Sequence, residues 1–86
     1  MGKLDKLLIR LLSGVSDNNF NFSDLKFILL NLGFDERTTG GSHLIYTKKN
    51  ISEIINIQPK GSKAKPYQVK QVRNLIVKYK LSNDGG

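Results

Sequence analysis

Cysteine and tryptophan are absent from the 86 residues, and histidine and methionine occur once each. Without cysteine no disulfide can brace the fold, and a lone histidine rules out a zinc site of the usual nitrogen and sulfur kind. Long apolar runs are missing too. The opening MGKLDKLLIRLLSG is interrupted by Lys3, Asp5, Lys6 and Arg10, so it reads neither as a secretory core nor as part of the roughly 20 apolar residues that a membrane span needs. Lys6 also stands where a myristoylation signal wants Ser or Thr. The sequons NFS at 21 and NIS at 50 would be chance in a chain that is not exported, and the cytoplasm is the expected compartment. A chain this short makes one domain, over residues 1–86, whose stability rests on packed apolar faces alone.

Acidic residues are also scarce, but only in one part of the chain. Residues 1–36 hold four basic and five acidic side chains, whereas residues 37–83 hold ten basic ones and a single acid, Glu53. The net charge of +7 is therefore concentrated in the second half. Such asymmetry points to a polyanionic partner, nucleic acid above all, against the plainer reading of a solvated basic surface.

Periodicity supplies the elements. Leu4, Leu7, Leu8, Leu11 and Leu12 recur at helical spacing in a first helix over 1–14 that ends at Gly14. VSDNNFN reads as a loop. FSDLKFILLNLG is a second helix in which Ser23 caps the first turn, Phe22 and Phe27 form a staple, and Leu25, Ile28, Leu29 and Leu32 are buried. Phe27 and Leu30 lie off that stripe, so the first helix is expected to cover a second side. Gly33 stops the helix. Strands are expected over 34–38, 42–47 and 51–57, joined by TTGG and KKN into an antiparallel meander. QPKGSKAKP is too rich in Pro, Gly and Lys for regular structure. YQVKQVRNLIVKYKL closes the domain as a helix with Val69, Val72, Ile76 and Tyr79 on one face, followed by a flexible tail at 82–86. The fold class is α+β, ordered α-α-β-β-β-α, with a three-stranded antiparallel sheet and helices on one face. Because Ile45 shares the face of His43, and Leu44 that of Tyr46, the pattern leaves open which face meets the helices.

Several chemistries drop out. Asp35 and Glu36 are adjacent on a strand, so they point to opposite faces and cannot share a metal ion. KGSK at 60–63 lacks the phosphate-loop order, and no dinucleotide fingerprint occurs; neither metal nor cofactor is expected. His43 remains. A single strand histidine can simply fill space, but this one follows Gly40, Gly41 and Ser42, which leave the approach to the backbone without bulk. An imidazole can both take and give a proton near neutral pH. That suits metal-free RNA cleavage, in which a base removes the proton of the 2′-hydroxyl. Lys60, Lys63 and Lys65 precede the last helix, and Lys70 and Arg73 lie in its first two turns. A helix N-terminus ringed by cations would seat a phosphate and stabilise charge on phosphorus. Arg37 and Lys48 extend the set of expected RNA-binding residues. Tyr46 and Tyr67 are candidates for stacking on bases, with core packing equally open to Tyr46. Cleavage and non-catalytic RNA binding both fit these residues.

LKFILLNLGFDERTTGGSHLIYT and KAKPYQVKQVRNLIVKY together resemble the HicA toxins of bacterial HicAB toxin–antitoxin pairs. The likeness lies in a leucine-rich helix, LGF, GGSH opening a strand, and KPYQVK opening the last helix, over residues 23–80. It implies a fold similar to the double-stranded RNA-binding domain and a metal-independent endoribonuclease that cuts messenger RNA. It implies His43 as the catalytic residue, Gly41 and Ser42 as its support, and a HicB-type antitoxin as the protein partner. Residues 1–20 exceed the family pattern and read as an extension packing on the second helix; ISEIINIQPKG is less basic than the pattern.

Overall fold

Leucines spaced three and four apart put α1 (Lys3–Ser13) on the core through Leu4, Leu7, Leu8 and Leu11. Gly14 ends it in the left-handed region, at φ +75°. Leu12, expected on the buried stripe, is instead 46% exposed, because one residue past Leu11 the helix has turned about 100° away from the core. A computed structural model describes residues 2–38, 40 and 43–81. The tail expected at 82–86, the expected supporting pair Gly41 and Ser42, and the expected start of the second strand at 42 lie outside the described residues.

A short 3₁₀ turn at Asp17–Asn19 carries the chain to Phe20, which is buried, and then into α2 (Phe22–Asn31). The cap is Asn21 rather than Ser23. Its carbonyl accepts the N–H groups of Asp24 and Leu25, both at 3.1 Å, while the Phe22 N–H is drawn away to the Ser62 carbonyl at 3.0 Å. A tertiary contact thus starts the helix earlier than its local signal. Leu25, Ile28, Leu29 and Leu32 are buried as expected, α1 lies against α2, and Gly33 ends the helix at φ +96°. Leu30 stays exposed, and Phe27 is half-buried under the Lys3 ammonium, 4.5 Å above its ring.

The sheet is an antiparallel meander of β1 (Asp35–Thr38), β2 (Leu44–Lys48) and β3 (Ile51–Ile57), in that order. Tyr46, Ile55 and Ile57 are buried and Leu44 packs against the core, so the Leu44–Tyr46 face meets the helices. Arg37, Ile45 and Asn56, paired across the sheet, share the opposite face. The open face of the sheet is thereby settled. QPKGSKAKP was expected to be irregular, yet it forms a hairpin of β4 (Pro59–Lys60) and β5 (Lys63–Ala64) around Gly61 at φ +63°. Its second strand is held by Asn21 and by the Phe20 carbonyl, which accepts the Ala64 N–H at 2.8 Å.

Last comes α3 (Pro66–Tyr79), which buries Val69, Val72 and Ile76 together with Leu75 and Gln68. One hydrophobic cluster joins all three helices to the sheet and the hairpin, each fully buried aliphatic side chain contributing about 1.5–3 kcal/mol. The far end of α3 is clamped to β3 by Glu53, which accepts from Lys78 Nζ at 2.6 Å and from the Tyr79 hydroxyl. Those two bonds, the lysine's first, lower the Glu53 pKa from its usual 4.5 to about 2. A lowered carboxylate pKa contributes stability that is complete above 4.5 and fades as the pH falls toward 2. Melting temperature followed from about pH 5 to pH 2 should therefore drop more steeply for the native chain than for Glu53→Gln, although the half-exposed site keeps the difference small. Equal slopes would remove Glu53 from the acid response.

Candidate nucleic-acid interface

His43 immediately precedes β2 and is exposed. Leu44, the residue after His43, pairs with Ile57, the residue before Gln58. Gln58 is tied to the last helix on both of its own polar sides. Its N–H donates to Gln68 Oε1 at 3.1 Å, and its Oε1 accepts from Lys65 Nζ at 3.0 Å. The chain leaving β3 and the start of the last helix thus meet at Gln58 and Lys65.

The other expected cations divide into two groups. Lys60, Lys63 and Lys65 belong to the hairpin and its exit, and Lys70 lies one turn into α3. Lys63 also donates to Asn21 Oδ1 at 2.7 Å, which steers it toward α2. Lys60 and Lys70 are exposed and form no ion pair among the described residues. Of these four, Lys65 is bonded to Gln58, and Lys60 pairs with Lys63 across the hairpin. Arg73, Arg37 and Lys48 do not join them. Arg73 grips both oxygens of Asp17, at 2.7 and 3.0 Å, and reaches the Leu11 carbonyl at 3.3 Å. Its guanidinium is raised above the ordinary arginine value by the Asp17 hydrogen bonds, and it staples α3 to the turn after α1. Lys48 sits at the far end of β2 from His43, with its ammonium over Gly33 at the C-terminal end of α2, where a helix favours positive charge. Arg37 lies on the open sheet face, opposite Ile45.

A phosphate seat at the start of α3 is poorer than the sequence suggests. Pro66 has no N–H, and those of Gln68 and Val69 are both donated to the Lys65 carbonyl, at 2.9 and 3.1 Å. At most the Tyr67 N–H remains to meet an anion, so lysine side chains must supply most of the charge. Tyr67 itself is 64% exposed, free to offer a ring face. Tyr46, the other stacking candidate, is wholly buried, because its place on the helix-facing side of the central strand puts it in the core.

Two residues of this junction escape a reading by pattern. Gln68 is a buried amide on a core-facing turn of α3, and its position four residues before Val72 was the available signal. Gln58 carries no such signal, since its role exists only once the hairpin and helix are assembled. Among the described residues no three His, Asp or Glu side chains converge on one point, and no helix is long and apolar enough to cross a membrane. No family model matches the chain, and no curated protein or solved structure does either.

Proposed function

We propose that the chain is a HicA-like toxin, the ribonuclease of a type II toxin–antitoxin pair, which cuts messenger RNA in the bacterial cytoplasm without a metal. His43 takes the proton of a 2′-hydroxyl; that oxygen attacks the adjacent phosphorus, and the bond from phosphorus to the 5′-oxygen breaks as that oxygen takes a proton from water. The products are a 2′,3′-cyclic phosphate and a free 5′-hydroxyl. Lys65, Lys60 and Lys70 offset the negative charge that builds on phosphorus. What supports this reading is an exposed imidazole next to Leu44, whose strand partner Ile57 is followed by Gln58, which holds a lysine ammonium. A HicB-type antitoxin covering that junction would silence it.

Purified protein incubated with RNA in excess chelator should cut, and a single 2′-deoxy sugar at the cut position should block that cut alone. Cleavage through the deoxy position, or activity lost to the chelator, ends the proposal.

The absence of a second histidine favours one other reading, a non-catalytic RNA-binding module that grips an A-form helix by shape. Long double-stranded RNA would then be bound tightly, released by salt, and recovered intact.

A further inference from the structure

The outward face of α3 is unlike the cationic junction at its start. Tyr67, Gln71, Asn74 and Lys78 follow one another at helical intervals, with Lys70 beside them, and form one stripe that is exposed except at the half-buried Gln71. A groove of about 380 Å³ runs along this stripe, bounded on the β3 side by Glu53. A second groove, of about 440 Å³, lies on the other side of Tyr67 and Lys70. Each is large enough for one nucleotide, since small-ligand sites begin at about 300 Å³. Gln68 Nε2 approaches the Tyr67 hydroxyl at 3.5 Å, so the stripe starts next to the Gln58 junction.

Its composition discriminates between partners. An acidic protein segment would need only cations. Here a free aromatic ring stands before two carboxamides, and each carboxamide presents a donor and an acceptor together. The amide of Gln68 is consumed by Gln58, whereas those of Gln71 and Asn74 line the groove. The two carboxylates at the margins are neutralised, Glu53 by Lys78 and Asp17 by Arg73, so neither repels a phosphate. Lys70, shared by both grooves, forms no ion pair among the described residues.

We infer that this stripe reads the bases of single-stranded RNA, with one base stacked on Tyr67, the next hydrogen-bonded by Gln71 and Asn74, and the strand's phosphates held by Lys70. The inference rests on the RNA reading above and supplies its sequence preference. A carboxamide matches the edge of adenine with two hydrogen bonds, so adenine is the expected base.

The test is equilibrium binding to the four RNA homopolymers with every 2′-hydroxyl methylated, so that no strand can be cut. Oligo-A should bind tightest. Tyr67→Ala should weaken all four by about tenfold. The double variant Gln71→Leu with Asn74→Leu should erase the preference for oligo-A while leaving the other three nearly unchanged. Tyr67 and Asn74 are exposed and Gln71 is half-buried, all outside the hydrophobic cluster, so the variants should keep their fold. Equal affinity for the four strands in the native chain, insensitivity to Tyr67→Ala, or displacement by polyglutamate as readily as by RNA would overturn it. Because no strand is cut, base selectivity without cleavage of natural RNA sustains this inference and refutes the nuclease. Cleavage without base selectivity does the reverse.

Discussion

His43→Ala should cut RNA about 10²- to 10⁴-fold more slowly than the native chain, the usual contribution of one positioned acid–base group. Affinity for uncut RNA should barely change, because the lysines of the hairpin and α3 are untouched. Nor should the fold change: the residue is exposed, precedes its strand, and belongs to none of the buried cluster. Single-turnover cleavage, a filter-binding isotherm and a melting curve on the same sample separate the three effects. A His43→Ala protein that cuts at the native rate would leave the proposed nuclease without its central group. A variant that cuts poorly because it has unfolded would show in the melting curve, and His43→Gln, which keeps size and polarity but cannot shuttle the proton, then decides the matter.

What was legible in the sequence is mainly periodic. The leucines of α1 and α2, the valines of α3 and the apolar β3 each declared an element, because local spacing and the buried face agree. Where a distant segment decides, local signals mislead. Ser23 looked like the cap, but the hairpin takes the Phe22 N–H and moves the helix start back to Asn21. The hairpin itself hid in a stretch judged by composition, although Gly61–Ser62 between two lysines is a recognised two-residue turn. At the candidate site, charge was easy to count and hard to place. Arg73 and Lys63 stood in the same basic run, yet Arg73 is occupied by an aspartate 56 residues earlier. No spacing rule connects those two positions. For Tyr46 the strand alternation admitted either face, and only the packing of helices on the sheet chose one.

That buried tyrosine sets the largest stability effect expected of any substitution named here. Tyr46 lies wholly inside, flanked across the sheet by Glu36 on β1 and Ile55 on β3. Its hydroxyl donates to Glu36, whose carboxylate also lies 3.6 Å from Lys26 on α2, so one side chain links the central strand, the edge strand and a helix. Tyr46→Ala should cost about 3–5 kcal/mol, as aromatic-to-alanine changes in cores do. For a domain of this size that is a large part of a total of about 4–13 kcal/mol. Tyr46→Phe keeps the ring, loses only the hydrogen bond, and should cost about 1–2 kcal/mol. Burial first, and the Glu36 carboxylate second, raise the Tyr46 phenol far above its ordinary 10.0. Above pH 10 the unfolded chain therefore releases a proton that the folded chain keeps, and stability falls by about 1.4 kcal/mol per pH unit from this group alone. Below pH 10 its contribution is intact. Urea midpoints measured across that range should decline less steeply for Tyr46→Phe than for the native chain. If the two decline in parallel, the phenol is not what holds the sheet's centre against alkali.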